Sequence, residues 1–177
     1  MLSHTGLDGV TMRGVADHLG LRLNNVQYYF PSRDALIQGF AEMVVEQYQQ
    51  TYDPLMSNGD LSWDEKVRQF VRFNIADTLK VDSRRRFLSI LSYAQRDAFT
   101  MERVHDLYAY QQHTIQRLLR ELNSKRQTKL IEMRAAMITA QIEGLMVLAG
   151  QRSEFREMPQ DFEHECFRAI VNSFRLA

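Results

Sequence analysis

Cysteine and proline are scarce in this 177-residue chain. The one cysteine, Cys166, excludes an internal disulfide, which suits a reducing cytoplasm. The three prolines are Pro31, Pro54 and Pro159, and each falls where a helical pattern pauses. No segment shows the alternation of apolar and polar residues that is typical of a strand. Together these features predict an all-α protein.

Membrane and targeting signals are also missing. The most apolar long segment, Met137–Gly150, contains Gln141 and Glu143 and is too short to span a bilayer. The first residues lack the basic start and apolar run of a signal peptide. The 22 basic and 22 acidic residues give a formal net charge of zero, which neither supports nor excludes a nucleic-acid partner. We therefore expect a cytoplasmic protein with no membrane contact.

Catalytic and metal-binding motifs are absent from the sequence. The five histidines form no metal-binding pair, and the spacing of His164 and Cys166 is too sparse for zinc. Neither a glycine-rich phosphate loop nor a nucleophile elbow occurs. The sequence therefore predicts no catalytic residue, no metal and no cofactor, and an all-helical enzyme has no support beyond scattered carboxylates.

Apolar residues at three- and four-residue spacing predict helices along nearly the whole chain. We expect them at about 11–19, 23–29, from Ser32 to about 52, 62–80, 84–97, 100–122, 125–150 and 160–175. The turn-rich stretch 53–60 divides a small module, residues 1–52, from a larger helical body, residues 53–177. Ser62 and Glu65 form a capping box that opens the first helix of the body.

A helix-turn-helix is predicted at residues 11–30 from three positions. Ala16 is small enough for two helices to cross closely, Gly20 tolerates positive φ in the turn, and Val26 fills the gap between the helices. We expect Val15, Leu19 and Leu21 to complete this small core. An ordinary helical hairpin would use the same small residue and glycine, so the spacing alone leaves both interpretations open.

The flanking residues resemble the tetracycline-repressor (TetR) family. The resemblance rests on the approach from Gly6 to Ala16 and on the segment from Asn24 to Leu36, with its paired tyrosines, Phe30, and the Ser32-Arg33-Asp34 start of a helix. It implies an N-terminal helix-turn-helix module followed by a helical body that binds a small ligand and dimerises. Beyond residue 40 only the all-helical layout and the segment 141–145 are similar to the family.

The resemblance implies contacts with double-stranded DNA. Amides at the start of the second helix can bond base edges in the major groove, and phenols can contact sugar, thymine methyl groups or phosphate. Thr11 and the arginines at the helix starts would meet backbone phosphate. The DNA-binding residues predicted in this way are Thr11, Arg13, Arg22, Asn24, Asn25, Gln27, Tyr28, Tyr29 and Arg33. We expect one of the two tyrosines to be buried in the core and the other to be exposed.

Three features depart from the family pattern. Arg22 stands where the family usually has a Ser or Thr N-cap, which removes about 1 kcal/mol of helix capping. Residues 1–40 carry balanced charge, so electrostatic attraction to DNA should be modest. Only residues 1–5 precede Gly6, so most of the family's first helix is expected to be missing.

The last two helices carry an apolar face that can bury against a second copy of the chain. The residues predicted for this dimer interface are Ile131, Ala135, Ile138, Ile142, Leu145, Ala149, Phe162, Ile170 and Phe174. Two helices from each subunit would form a four-helix interface and present two recognition helices to one face of DNA. Burial of the same residues within one chain is the alternative.

Aromatic, methionine and polar residues on the body helices are candidates for a small-molecule pocket. The predicted set is Phe70, Phe73, Phe87, Tyr93, Tyr108, Met137, Gln141 and Glu143. Glu143 can favour a cationic ligand or pair with an arginine, and the aromatic residues can equally belong to a plain core.

These observations predict a ligand-responsive repressor that acts as a homodimer on a palindromic operator and responds to an unknown small molecule. The alternative is a ligand-binding or interaction dimer whose DNA-binding module is impaired because its first helix is cut short. The first hypothesis requires specific operator binding, whereas the second requires a stable dimer without an operator.

Overall fold

The computed structural model of the chain describes residues 6–7, 9–122, 127–151 and 160–175. These residues form eight helices and contain no strand, so the predicted all-α class is confirmed. The helices are α1 (Met12–Leu19), α2 (Leu23–Tyr29), α3 (Arg33–Ser57), α4 (Trp63–Leu79), α5 (Val81–Ala94), α6 (Ala98–Leu122), α7 (Thr128–Gln151) and α8 (Gln160–Arg175). The expectation about a shortened first helix concerns residues 1–5, and the predicted loop through Pro159 concerns residues 152–159. Both lie outside the described residues.

Several helix ends are fixed by side-chain caps. Ser32 Oγ accepts a 3.0 Å hydrogen bond from the Ala35 amide at the start of α3. Ser62 and Glu65 form the predicted capping box at the start of α4. Asp97, which we expected at the end of a helix, instead accepts from the Thr100 amide at 2.8 Å in the first turn of α6. This cap explains why α5 ends at Ala94 and a new helix begins at Ala98.

The predicted break at 53–60 begins later in the structure. Helix α3 continues through Pro54 to Ser57, and the turn occupies only the residues between Ser57 and Trp63. Within it, the Asn58 side chain accepts a 2.9 Å hydrogen bond from the Asp60 amide. Proline disfavours a helix interior, but Pro54 lies in the last turn, where few later hydrogen bonds depend on it.

The chain divides into two compact units, and their bounds differ from the predicted division after residue 52. The first unit comprises the residues up to Tyr48 together with Val81–Leu107. Helix α5 therefore groups with the N-terminal helices, because Tyr93 near its end bonds Asp34 at the start of α3. The buried apolar residues of this unit are Leu7, Val10, Ala16, Val26, Ile37, Ala41, Val44, Phe87, Ile90, Tyr93, Ala94, Val104 and Leu107.

The second unit comprises Gln49–Lys80 and Tyr108–Ala177. In it α4 packs against α7 and α8, and α7 packs against α8. Trp63 at the start of α4 donates its indole N–H to the Leu118 carbonyl of α6 at 2.7 Å, and Lys66 pairs with Glu121 at 3.1 Å. The larger side chains of this core include Tyr52, Phe70, Ile75, Ile115, Leu118, Leu119 and Phe174.

Candidate functional site

The turn between α1 and α2 has the geometry expected of a helix-turn-helix. Gly20 adopts φ +67°, a left-handed conformation that glycine enters without the strain of a Cβ. The Leu21 amide donates to the Ala16 carbonyl at 2.9 Å, which closes the end of α1. Ala16 and Val26 are both buried, as predicted for the contact between the two helices.

The small core of this module differs from the prediction at two leucines. Leu19 is 59% exposed and Leu21 is 45% exposed, so neither completes the core. Leu7 and Val10, which precede α1, are buried instead.

Helix α2 presents a row of polar and aromatic side chains to solvent. Asn24, Asn25 and Gln27 are all exposed. Tyr28 is 83% exposed and Tyr29 is 75% exposed, and their rings meet edge to face at 5.2 Å between centroids. The prediction that one tyrosine would be buried is wrong, because this seven-residue helix buries only Val26. The row offers amide donors and acceptors beside two phenol groups, a combination suited to base edges and phosphates.

Three residues at helix starts were predicted to meet phosphate, besides Arg33. Thr11 caps α1, since its Oγ1 accepts from the Gly14 amide at 3.0 Å, and the residue is exposed. Arg13 is exposed. Arg22 occupies the N-cap of α2 without forming a side-chain cap, which leaves its guanidinium on the same exposed surface.

Arg33 is placed differently from the other candidate DNA ligands. Its Nε donates to the Val10 carbonyl at 2.8 Å, and its Nη2 donates to the Leu7 carbonyl at 2.7 Å. The guanidinium also lies 5.9 Å from the centre of the Tyr93 ring. Two of its five N–H donors are thus engaged within the chain, and the prediction that Arg33 binds a phosphate stays a prediction.

The residues predicted to line one ligand pocket are divided between the two units. Phe87 and Tyr93 belong to the first unit, whereas the other six belong to the second. Met137 is 66% exposed on α7, and the exposed Gln141 accepts a 3.0 Å hydrogen bond from Ser173. Both are therefore removed from the predicted set of interior residues.

Tyr108 and Glu143 are brought together in the second unit. The Tyr108 hydroxyl donates to the Glu143 carboxylate at 3.1 Å. Burial raises the pKa of Glu143 to about 7, although the hydrogen bond from Tyr108 lowers it. Burial and the nearby negative charge of Glu143 also raise the pKa of Tyr108. Glu143 thus has a tyrosine partner rather than the arginine considered from the sequence.

A second group of polar side chains, which the sequence analysis did not identify, is buried in the same unit. The Tyr52 hydroxyl donates to Asn74 Oδ1 at 2.7 Å, and Gln111 donates to the same oxygen at 3.1 Å. Asn74 in turn donates to the Phe70 carbonyl at 2.8 Å. An asparagine on the apolar face of α4 was the available signal, since a buried amide requires partners.

Most of the predicted dimer residues lie inside the core of a single chain. Ile131, Ala135, Ile138, Ile142, Ile170 and Phe174 are buried, and Leu145, Ala149 and Phe162 are half-buried. The six buried side chains are thus corrected to the alternative, burial within one chain, because they have almost no surface left for a partner. The opposite face of α7 is exposed and apolar, with Leu130, Met133, Met137, Val147 and Leu148.

Comparisons with known proteins show which family has this all-helical fold. Residues 63–175 match the family model described as "BetI-type transcriptional repressor, C-terminal". This match covers more than half of the chain. The chain belongs to the TetR family of transcriptional regulators. None of the curated proteins matches its sequence.

Solved structures of TetR regulators share the fold over nearly the whole chain. A TetR transcription regulator from Haloarcula marismortui superposes with a TM-score of 0.80 at 14% identity, covering 98% of this chain and 90% of that one. A TetR transcriptional regulator from Legionella pneumophila gives 0.76 at 15% identity, covering 97% and 90%. A transcriptional regulator from Rhodococcus sp. Rha1 gives 0.74 at 17% identity, covering 98% and 89%. At these identities the likeness shows the fold, and with the family match it supports a DNA-binding regulator. No helix in the described part of this TetR chain has the length and apolar content needed to cross a membrane.

Proposed function

We propose that this TetR-family chain is a cytoplasmic, ligand-responsive repressor that acts as a homodimer on a palindromic operator. The observation that carries the proposal is the exposed row on α2, where Asn24, Asn25, Gln27, Tyr28 and Tyr29 all face solvent behind a glycine turn. A soluble domain has no packing reason to expose two adjacent tyrosines to this extent. A base-reading surface supplies that reason.

Each exposed group of the module has a role in this proposal. Asn24, Asn25 and Gln27 contact base edges, for which amide pairing with adenine is the favoured geometry. Tyr28 and Tyr29 contact sugar, thymine methyl groups or phosphate. Thr11, Arg13 and Arg22 contact the phosphate backbone and fix the register of α2 on the duplex.

The balance of charge sets the expected salt dependence. Arg13 and Arg22 are the exposed arginines of α1 and the α2 N-cap, so a dimer brings about four guanidinium groups to DNA. Neutralising about four phosphates predicts a slope of about −3.6 for log K against log salt. This is a modest electrostatic contribution, so the exposed amides and phenols must supply much of the operator specificity.

The proposed dimer forms through the outward face of α7 rather than through its buried face. Met133, Met137, Gly144 and Val147 share this face at spacings of one or two turns, and Gly144 has open space where a Cβ would be. An apolar face of this length on the outside of a soluble domain indicates a protein partner. A second copy of the chain can cover this face in a symmetric contact, in which both subunits use the same residues.

The proposed effector binds beside Glu143 in the second unit. Glu143 is a largely buried carboxyl that accepts a hydrogen bond from the neutral Tyr108 hydroxyl. A small cationic molecule would gain a charge-assisted contact there, and the half-buried ring of Phe73 lies in the same unit. Effector binding would then shift the protein toward a state with lower operator affinity.

Selection of an operator from a random-sequence DNA pool tests the proposal. We expect an inverted repeat that binds a dimer, with at least ~10-fold weaker binding for Asn25→Ala and Tyr29→Ala, because each lost base contact is worth about 1–3 kcal/mol. Asn172→Ala is the matched control, since Asn172 is an exposed amide on α8. Equal operator binding by Asn25→Ala and Tyr29→Ala contradicts the assigned contacts. A stable dimer that selects no operator favours the interaction-dimer alternative.

A further inference from the structure

The start of α3 is tied to the segment that leads into α1. The Arg33 guanidinium forks between two backbone carbonyls, donating from Nε to Val10 at 2.8 Å and from Nη2 to Leu7 at 2.7 Å. Val10 directly precedes Thr11, the N-cap of α1. Both carbonyls belong to buried residues, and the Leu7 carbonyl also accepts from the Val10 amide at 3.1 Å. Two parallel bonds from a planar group fix the direction of the segment as well as its distance from α3.

Helix α5 also contacts the start of α3, at Arg33 and its neighbour Asp34. The Tyr93 ring is buried and lies 5.9 Å from the Arg33 guanidinium, and its hydroxyl donates to the Asp34 carboxylate at 2.5 Å. Burial, followed by this hydrogen bond, raises the pKa of Tyr93 to about 12, so the phenol keeps its proton at neutral pH. The guanidinium of Arg96 lies 4.8 Å from the ring centre of Tyr93. We call Arg33, Asp34, Tyr93 and the Leu7 and Val10 carbonyls the Arg33 clasp.

One further contact extends this connection along α3. Gln38, one turn after Asp34, donates to Asp97 at 3.4 Å, and Asp97 is the residue that caps α6. Close packing adds to the polar contacts, since a Cβ at Gly6 would lie 3.1 Å from the Ser89 hydroxyl of α5. The described segment before α1 is therefore held against α3 by Arg33 and approached by α5.

From this geometry we infer that Arg33 and Tyr93 are positioning residues for DNA recognition, and that Arg33 acts by orienting α1 and α2 rather than by binding phosphate. The clasp holds the carbonyls of Leu7 and Val10, Val10 directly precedes the N-cap of α1, and α1 packs on α2 beside the buried Ala16. Base contacts tolerate only small errors in helix orientation, because hydrogen bonds weaken steeply with angle. Loss of the clasp should therefore reduce operator-specific binding and leave non-specific binding intact.

The substitution Arg33→Lys separates a role in orienting α1 and α2 from a role in binding phosphate. A lysine keeps the positive charge and can bind a phosphate as a point charge, but it cannot donate in parallel to two carbonyls. The experiment compares Arg33→Lys and Tyr93→Phe with the wild-type chain on the selected operator and on a duplex without it, over a series of salt concentrations. Arg86→Lys is the matched control, because Arg86 donates to the Asp82 carbonyl and the Ser83 hydroxyl of its own helix, α5. The operator part of this test rests on the proposed function.

For both Arg33→Lys and Tyr93→Phe we expect at least ~10-fold weaker operator binding, with non-specific affinity and the salt slope unchanged within error. Amide hydrogen exchange without DNA should become at least ~5-fold faster in α1 and α2, with no change in α4 and α7. Arg86→Lys should match the wild type in both measurements. The milder Tyr93→Phe keeps the ring and removes only the hydroxyl, so it tests the inference even if Arg33→Lys unfolds.

Two results would overturn the inference while leaving the proposed function intact. One is operator binding by Arg33→Lys within ~2-fold of the wild type, combined with a salt slope reduced by about 1 per subunit in Arg33→Ala, which would make Arg33 a phosphate ligand. The other is unchanged amide exchange in α1 and α2 of both clasp variants. A wild-type chain that selects no operator would overturn the proposed function and the inference together.

Discussion

The Tyr108 hydroxyl donates a hydrogen bond to the Glu143 carboxylate at 3.1 Å, inside the second unit of the chain. Burial raises the pKa of Glu143 from 4.5 to about 7. The folded chain therefore binds this proton more tightly than the unfolded chain does. Stability from this group is fully present below about pH 4.5, falls as the pH rises to about 7, and is constant above that.

The first prediction concerns this pH dependence. Between pH 4.5 and pH 7 the wild-type chain should lose free energy of unfolding, on the order of 2 kcal/mol, relative to Glu143→Gln. The glutamine still accepts from Tyr108 but does not titrate. Urea unfolding of both chains at several pH values measures the difference. Parallel curves for the two chains across this range would contradict a raised pKa at Glu143.

Tyr52 provides a second prediction. Its hydroxyl is fully buried and donates to Asn74 at 2.7 Å, so Tyr52→Phe removes one buried hydrogen bond. We expect a loss of about 1–2 kcal/mol in the free energy of unfolding, limited by the donation that Asn74 still receives from Gln111. Tyr28→Phe, at a ring that is 83% exposed, should change stability by less than ~0.5 kcal/mol. Equal effects of the two substitutions would show that the Tyr52 hydroxyl contributes nothing.

Gly20 tests the turn of the DNA-binding module. A Cβ at Gly20 meets nothing within 4 Å, so the whole cost of Gly20→Ala comes from φ +67°. We expect the local stability of α1 and α2, measured by amide exchange, to fall by about 1 kcal/mol. Gly59→Ala is the control, because Gly59 also has open space and lacks a positive φ. If Gly20→Ala left the local stability of α1 and α2 unchanged, the turn would have relaxed to another conformation.

The fourth prediction concerns the outward face of α7. Met137→Glu introduces a charge at the middle of the exposed apolar face and should shift the chain from dimer to monomer, raising the dimer dissociation constant at least ~10-fold. Glu132→Lys changes a charge elsewhere on the same helix and should leave the constant within ~2-fold. Sedimentation equilibrium gives both values. Dimers that persist in Met137→Glu would place the interface on another surface.

Arg22 offers a prediction with opposite signs for stability and affinity. Arg22→Ser supplies the missing side-chain cap of α2, so local stability should rise by up to about 1 kcal/mol. The same change removes one exposed positive charge per subunit, so the salt slope of DNA binding should become shallower by about 2 for a dimer. Amide exchange and salt titrations measure the two effects separately. A rise in affinity together with stability would show that Arg22 is not a phosphate contact.

Much of the fold could be predicted from the sequence, because local signals agreed with the tertiary structure. Helical periodicity, the Ser62–Glu65 box and the glycine of the first turn all act within a few residues, and each is confirmed. Asp97 was placed at the end of the preceding helix, but an acidic side chain is unfavourable near a helix C-terminus and favoured at an N-cap, where the structure has it.

The errors at the candidate sites arise from contacts between residues distant in sequence. The bonds from Arg33 to the carbonyls of Val10 and Leu7 join residues 23 and 26 positions apart, so no local pattern in the sequence indicates them. Helix α7 is apolar on two opposite faces, and periodicity alone cannot say which face meets α4 and α8 and which stays outside. The face with Ile131, Ile138 and Ile142 was assigned to a second copy of the chain, but in the structure these side chains fill the core of one chain.

The indole of Trp63, bonded to the Leu118 carbonyl, has a further consequence for measurement, because the chain has no other tryptophan. Its emission reports solely on the unit formed by Gln49–Lys80 and Tyr108–Ala177, whereas far-ultraviolet circular dichroism counts helices in both units. If the two optical signals share one unfolding midpoint, the units unfold together as a single cooperative system. If the midpoints separate, the module with the exposed tyrosines has an independent stability that spectroscopy can follow.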